Sequence, residues 1–122
     1  MSDNPSPYRP GMCPFCNRIE AGDYIERRSD VVRFEPLNPV TPGHMLFVPV
    51  RHAPAADYDP MGAARAVKVA AEYIRDSGPR DANIITSIGT FATQTVWHTH
   101  IHVVPRDLND GLHLPWTGQA DA

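Results

Sequence analysis

Three histidines at alternate positions are the residues of this sequence best suited to chemistry. His98, His100 and His102 lie within the segment 96–104. Side chains of a strand alternate between its two faces, so an extended segment places all three imidazoles on one face. Neutral imidazole acts as a metal ligand, a nucleophile and a base near physiological pH. One such histidine is usually a satisfied polar residue, whereas three on one face predict a functional site.

Two cysteines form a second candidate group. Cys13 and Cys16 are the only cysteines of the chain, and two residues separate them. In a reducing compartment this spacing indicates half a metal site or a redox pair rather than a structural disulfide. A closed tetrahedral zinc site needs two further nitrogen or sulfur donors, and His52 with one triad histidine can supply them. The pair is then either part of such a site or two idle thiols, and the surplus histidines favour a structural Zn²⁺.

Composition restricts the partners that such a site can serve. The chain has 122 residues, 42% of them hydrophobic and 20% charged, which fits one ordinary globular domain. Its net charge of −3, without a basic cluster, argues against a nucleic-acid surface. No apolar run is long enough to span a membrane, and the first residues do not resemble a secretory signal. We therefore expect a cytoplasmic protein with a small-molecule substrate.

The segments that must position these residues predict an α+β fold. It should contain a mostly antiparallel sheet, one long helix and a short N-terminal helix. Pro39, Pro42 and Gly43 mark a tight turn between the second and third strands. The expected helices are 13–21 and Pro60–Ser77, and the expected strands are 24–28, 31–35, 44–50, 83–88 and 96–104.

The long helix and the domain bounds follow from the same pattern. Apolar residues recur at three-to-four-residue spacing and predict the long helix, which Gly78-Pro79 stops. They are Met61, Ala64, Val67, Ala71 and Ile74. We expect a disordered tail over 1–12, a domain over 13–115 and a C-terminal tail over 116–122.

The histidine segment closely resembles a known family signature. Residues 94–106 read QTVWHTHIHVVPR, which is similar to the His-φ-His-φ-His-φ-φ signature (φ, apolar) of the histidine triad (HIT) family. Upstream, residues 38–52 resemble a second family block, in which a Pro-Gly-His turn leads into a strand that ends near another histidine. The two blocks occur in the expected order, and the resemblance covers about residues 13–115.

This resemblance, to the zinc-containing Hint-like branch, implies a fold and an activity. The family fold is α+β, commonly a homodimer whose two sheets join. The implied activity is that of a nucleotide hydrolase or nucleotidyl transferase, acting on phosphoramidates or dinucleoside polyphosphates through a covalent nucleotidyl-histidine. By position, His100 is the implied nucleophile. The other implied catalytic residues are His102, His44 and Thr95. The implied substrate contacts are Leu37, Asn38, Ser87, Gln94, Thr95 and His102. The implied zinc ligands are Cys13, Cys16, His52 and His98.

Four residues depart from the family pattern. Pro36 stands where many members have an aspartate that binds the ribose hydroxyls, and proline has neither a carboxylate nor an N–H. Ser87 replaces an asparagine near the phosphates, and a hydroxyl reaches less far than an amide. Thr93 replaces a glycine that allows close approach of the backbone. Thr99 is a polar residue at an apolar position.

Two other functions compete with nucleophilic catalysis. In the first, two or three of the triad histidines bind a catalytic zinc whose water attacks the substrate. That alternative leaves the cysteine pair unused. In the second, the protein is a nucleotide sensor or adaptor with little turnover, and Pro36 and Thr93 are the residues that favour it.

Overall fold

Two α-helices and five strands make up the part of the chain that the structure, a computed structural model, describes, residues 11–116. The helices are α1 (Pro14–Glu20) and α2 (Pro60–Ser77), and the strands are β1 (Glu26–Arg28), β2 (Val31–Phe34), β3 (Met45–Pro49), β4 (Ala82–Ile85) and β5 (Ile101–Pro105). The strands form one sheet in the order β1-β2-β3-β5-β4, with every neighbouring pair antiparallel. The α+β class, with one long and one short helix, is confirmed.

Strands β2 and β3 are the expected hairpin-like pair. Val32 lies opposite Val48, and both side chains are buried. The connection ends at Gly43, whose φ of +84° is accessible to glycine at little cost. A Cβ on Gly43 would lie 3.4 Å from Cγ of Pro105, at the end of β5. The turn therefore approaches the C-terminal end of the histidine segment closely.

Alternation along the strands divides the core between the two sheet faces. One face packs against α2 and the other against α1 with the segment that precedes it. The α2 face carries Val31, Met45, Phe47, Ile101 and Val103. The α1 face carries Val32, Phe34, Leu46 and Val48. His102 lies between Ile101 and Val103 and therefore points to the α1 side.

Helix α2 has the bounds expected from the sequence. Asp59 precedes it, and its side chain accepts a hydrogen bond from the backbone N–H of Gly62, which is the usual arrangement of an N-terminal cap. Pro60 occupies the first helical position, where its missing N–H costs nothing. The helix ends before Gly78.

The apolar row that predicted α2 is not its most buried row. Met61 is 66% exposed and Val67 37% exposed, although Ile74 packs against the core. A row of small residues rotated by about one position is buried instead: Ala66 and Ala70 belong to the core cluster, and Gly62 is also buried. Both rows satisfy the three-to-four spacing, and small side chains allow the helix to approach the sheet closely.

The expected strand over 96–104 was wrong at its start. Regular pairing begins only at Ile101. Before it, the backbone N–H and the hydroxyl of Thr99 both donate to the carbonyl of Ala53, at 2.8 and 3.3 Å. The segment 96–100 therefore follows the loop after β3 rather than a neighbouring strand. His98 lies in this segment, and its Nε2 is 2.7 Å from the carbonyl oxygen of Pro49 at the end of β3.

The expected tails fall mainly on residues 1–10 and 117–122, which lie outside the described residues. No helix within residues 11–116 combines the length and apolarity needed to traverse a bilayer.

Candidate functional site

Four predicted metal ligands meet beside the start of α1. One ligand atom from each of Cys13, Cys16, His52 and His98 lies within 4.8 Å of all the others. Nδ1 of His98 is 3.4 Å from Sγ of Cys13, 3.5 Å from Sγ of Cys16 and 3.1 Å from Nδ1 of His52. Ligand atoms around a tetrahedral zinc ion are separated by about 3.3–3.8 Å, given the usual Zn–S and Zn–N bond lengths. The cluster therefore fits a zinc ion.

The tautomer of His98 suits this cluster. Its Nε2 lies 2.7 Å from the carbonyl oxygen of Pro49, which can only accept, so Nε2 carries the proton. The lone pair is then on Nδ1, the atom that faces the cysteines. Burial lowers the pKa of His98 to about 4, which keeps the ring neutral. A bond from the second ring nitrogen to a carbonyl is typical of histidines that bind metal.

Both cysteines can ionise to thiolates only when a cation binds between them. Sγ of Cys13 accepts the backbone N–H of Cys16 at 3.3 Å, an N-terminal cap that fixes the start of α1. Burial and the adjacent Cys13 raise the pKa of the Cys16 thiol to about 12. Thiolates bind metal far better than thiols, so metal binding must displace that proton.

A second group of histidines lies on the α1 side of the sheet. Nδ1 of His44 accepts the backbone N–H of Val40 at 3.1 Å, so a neutral His44 carries its proton on Nε2. That Nε2 lies 2.9 Å from Nδ1 of His102 and donates to it. His102 in turn carries its proton on Nε2. Burial, with His100 and His44 nearby, lowers the pKa of His102 to about 4.

His100 has the opposite arrangement from His98. Its Nδ1 donates to the backbone carbonyl of His98 at 2.7 Å, which leaves the lone pair on Nε2. Burial lowers the pKa of His100, so the ring stays neutral and nucleophilic. Its ring centroid is 5.0 Å from that of His102 and 5.2 Å from the edge-on ring of Phe15.

The histidines His44, His100 and His102 border a cleft of about 420 Å³. This volume lies within the usual range for small-molecule sites. The other residues around the cleft are mostly apolar; they are Pro14, Phe15, Arg18, Phe34, Pro36, Leu37, Asn38, Val40, Leu46, Thr95 and Val96. The same three histidines also border a second hollow of about 250 Å³, together with Ser87, Thr93, Gln94 and Thr95.

The remaining predicted substrate residues differ in what they can offer. Thr95 borders both spaces, and Leu37 and Asn38 border the cleft, with the Leu37 side chain 92% exposed at its rim. Ser87 borders the smaller hollow. The side-chain amide of Gln94 donates to the carbonyls of Pro54 and Val96, and its backbone N–H donates to Gly89. The donors of Gln94 therefore hold the loop.

Two of the four departures from the family pattern, Pro36 and Thr93, change what the residues around the cleft and the hollow can offer a ligand. Pro36 is part of the cleft wall, and no Asp or Glu is among the described residues around the cleft. Thr93 follows the 3₁₀ turn Thr90–Ala92 and has a φ of +71°. A β-branched residue in this left-handed region is strained. The loop beside the histidines therefore stores backbone strain.

Sequence reasoning missed three residues that border the cleft, Phe15, Arg18 and Phe34. Phe15 and Phe34 pack edge to face at 5.2 Å, and the guanidinium of Arg18 lies 3.9 Å above the Phe34 ring. Phe15 is inside the Cys-x-x-Cys segment, whose spacing indicates only the metal ligands. Arg18 follows one helical turn later, on the face that Phe15 defines.

Comparison with known proteins agrees with this geometry. The HIT domain family matches residues 20–109. A HIT-like protein of Borreliella burgdorferi is 37% identical over 110 residues, covering 82% of this chain and 79% of the relative. Adenosine 5′-monophosphoramidase of Schizosaccharomyces pombe is 26% identical, covering 85% and 82%. A zinc-bound histidine triad protein of Mycobacterium smegmatis has 33% identity and a TM-score of 0.67, covering 83% and 79%. The chain belongs to the histidine triad family.

Proposed function

We propose that this protein is a nucleotide hydrolase or nucleotidyl transferase that forms a covalent nucleotidyl intermediate on His100. One observation carries the proposal. The Nδ1 proton of His100 is bound to a backbone carbonyl at 2.7 Å, so the ring presents an Nε2 lone pair beside a cleft of nucleotide size. Burial keeps that ring neutral. A neutral imidazole with a free lone pair is the nucleophile that phosphoryl chemistry requires.

The first step forms the bond between Nε2 of His100 and the α-phosphorus. The bond from phosphorus to the leaving group breaks, and the leaving group departs with the electron pair and takes up a proton. The imidazole becomes positively charged, and the carbonyl of His98 on Nδ1 stabilises that charge. Thr95, which borders both spaces, assists the leaving group through its hydroxyl.

The second step returns His100 to its neutral form. Water attacks the phosphorus, the P–N bond breaks, and one water proton is released; an acceptor nucleotide in place of water gives transfer. The Nε2–H of His102, fixed by the chain from Val40 through His44, donates to a phosphoryl oxygen as negative charge accumulates. His44 and His102 therefore act together in binding the phosphate.

A zinc ion held by Cys13, Cys16, His52 and His98 is proposed to be structural. A closed set of four protein ligands leaves no position for substrate. When bound, the ion fixes His98, whose carbonyl orients His100. Paired thiols of this kind fit a reducing compartment such as the cytoplasm.

The substrates we propose are nucleoside 5′-phosphoramidates and dinucleoside polyphosphates. Support comes from the phosphoramidase activity in the name of the fission-yeast relative. The test is turnover of both classes by purified, zinc-loaded protein. Release of a nucleoside monophosphate with multiple turnovers is expected. Binding of nucleotides without turnover would instead favour the sensor, for which Pro36 and Thr93 are the structural argument.

The zinc-water alternative receives no support from the imidazoles. Nδ1 of each triad histidine has a different neighbour: the cysteines for His98, a carbonyl for His100 and His44 for His102. Within residues 11–116, the group of ligand atoms close enough to share a metal is the cysteine-containing one.

A homodimer is proposed from the sheet edge. Strand β4 is at one end of the sheet order, and its Ile84 is 41% exposed. Exposed apolar edge strands tend to pair with another chain. A second copy joined at β4 would extend the sheet to ten strands, and Val67 of α2, 37% exposed, lies on the neighbouring helix. Light scattering should give twice the chain mass; a monomer at micromolar concentration would contradict this.

A further inference from the structure

Apart from the histidines, the wall of the cleft is chemically one-sided. Its walls are apolar, formed mainly by Phe15, Phe34, Pro36 and Leu46. Apart from the histidines, Arg18 is the only ionisable side chain among the described residues that border the cleft. Apolar walls suit the faces of a nucleobase, and Arg18 is the charged donor that such a base could meet at its polar edge.

Arg18 is held in place from outside the cleft. Its Nε donates to the backbone carbonyl of Asp23 and lies 3.2 Å from the carboxylate of the same residue. Its Nη1 donates to the carbonyl of Glu35. Asp23 and Glu35 border a neighbouring hollow, which Arg18 also borders, and neither of them borders the cleft. Arg18 and Phe34 thus lie between the two spaces.

Stacking fixes the plane of the guanidinium as well. Its central carbon lies 3.9 Å from the centroid of Phe34, a ring that is 1% exposed. The Arg18 side chain itself is 27% exposed, so a ligand can reach it. A guanidinium has five N–H donors, and the contacts to Asp23 and Glu35 do not use all of them. Those contacts use Nε and one N–H of Nη1, so three of the five donors, on Nη1 and Nη2, remain for a ligand in the cleft.

We propose that Arg18 makes the cleft selective for nucleotides of 6-oxopurines, guanine or hypoxanthine, over those of adenine. This inference rests on the proposed function and names its substrate class. A guanidinium donates and never accepts. The O6 and N7 atoms of a 6-oxopurine are adjacent acceptors, and arginine binds them through two parallel hydrogen bonds. Adenine presents an amino donor in place of O6, so one arginine donor would face another donor.

The test is calorimetric binding of GMP, IMP and AMP to the zinc-loaded protein. These monophosphates are products of the proposed reaction, so no turnover disturbs the measurement. GMP and IMP should each bind about tenfold more tightly than AMP, which is the low end of base discrimination by arginine because the group is partly exposed. IMP lacks the 2-amino group of guanine. Equal affinities for IMP and GMP would therefore assign the preference to O6 and N7.

Two variants connect that preference to the side chain. Arg18→Met retains much of the aliphatic stem and should reduce the preference for GMP over AMP to less than twofold. Arg18→Lys keeps the charge and loses the fork, and should leave a preference of only a few fold. Arg27→Met, on the exposed strand β1, is the matched control and should bind as the unmodified protein does. Circular dichroism and zinc content establish that each variant is folded.

The failures of the two proposals are distinguishable. If GMP and AMP bind equally well, or if Arg18→Met keeps the full preference, the assignment of Arg18 is overturned while nucleotide binding stands. If none of the three nucleotides binds the folded, zinc-loaded protein, the proposed function fails and this inference fails with it.

Discussion

His98 and His100 are two residues apart, and they belong to different sites. His98 is fully buried among the predicted metal ligands, whereas His100 borders the cleft. The carbonyl of Pro49 holds Nε2 of His98 and exposes Nδ1, while the carbonyl of His98 holds Nδ1 of His100 and exposes Nε2. Two identical side chains therefore receive different chemistry from the carbonyl that takes their other proton.

The two sites are nevertheless joined. Phe15 lies between Cys13 and Cys16 in sequence, and its ring packs edge-on against both His98 and His100, at 6.0 and 5.2 Å between centroids. The backbone of His98 also supplies the carbonyl that orients His100. Loss of metal should therefore disturb catalysis indirectly, and loss of the nucleophile should leave the metal site intact.

The largest expected effect separates the two histidines by substitution. His100→Gly should lower turnover by about 10⁴- to 10⁶-fold, the scale seen when a covalent nucleophile is removed, and should keep zinc content and thermal stability. His98→Ala should lose zinc and stability first, and activity as a consequence. Steady-state kinetics with metal analysis measure both. The exposed His113 provides a matched control, and His113→Gly should behave as the unmodified protein.

The second prediction tests how much of the fold depends on the metal site. Free zinc a thousandfold above its Kd stabilises the folded state by about 4 kcal/mol, and Cys13→Ser should lose most of this. Chemical unfolding of the two proteins measures the difference. A chelator should destabilise the unmodified protein by a similar amount and have little further effect on the variant. Equal stability of the variant and the zinc-loaded protein would contradict a structural ion.

The third prediction concerns the pH response of the cleft histidines. The pKa of His102 is lowered to about 4, so its neutral form persists well below the ordinary value of 6.5. In zinc-saturated buffer, kcat/KM should stay level from pH 8 to about 5 and fall only at lower pH. The unfolded chain binds this proton near pH 6.5 and the folded chain only near 4, so folding stability should decrease as pH falls through that window. Half-maximal activity at pH 6.5 would contradict the shift.

The smallest expected effect concerns strain beside the cleft. Thr93 has a φ of +71°, and glycine accepts that conformation without steric cost. Thr93→Gly should raise the unfolding free energy by about 0.5–1 kcal/mol, because relief of strain exceeds the added entropy of the unfolded chain. Zinc content should not change. A lower unfolding free energy would show that the Thr93 hydroxyl or methyl makes a contact worth more than the strain.

The sequence pattern predicted the α+β class and the bounds of α2, which begins at Pro60 and stops before Gly78-Pro79. The Cys-x-x-Cys spacing predicted a metal site with His52 and one triad histidine, and the choice of His98 came from the family resemblance. The pattern did not predict that the histidine strand starts at Ile101. The alternation of residue types is the same in a paired strand and in an extended segment such as the one that bonds to Ala53. Arg18 was missed for a similar reason, since its role depends on Phe34, a residue from a different element.

The central claim is that His100 attacks the substrate, and covalent labelling tests it most directly. A nucleoside 5′-phosphoramidate labelled at its phosphorus should leave label on the protein during rapid-quench turnover, stable at alkaline pH and mapped by mass spectrometry to His100. His98→Ala protein that retains its fold, with added zinc, should still accept label. An enzyme that turns over its substrate with no labelled protein, or with the label on another residue, would contradict the account.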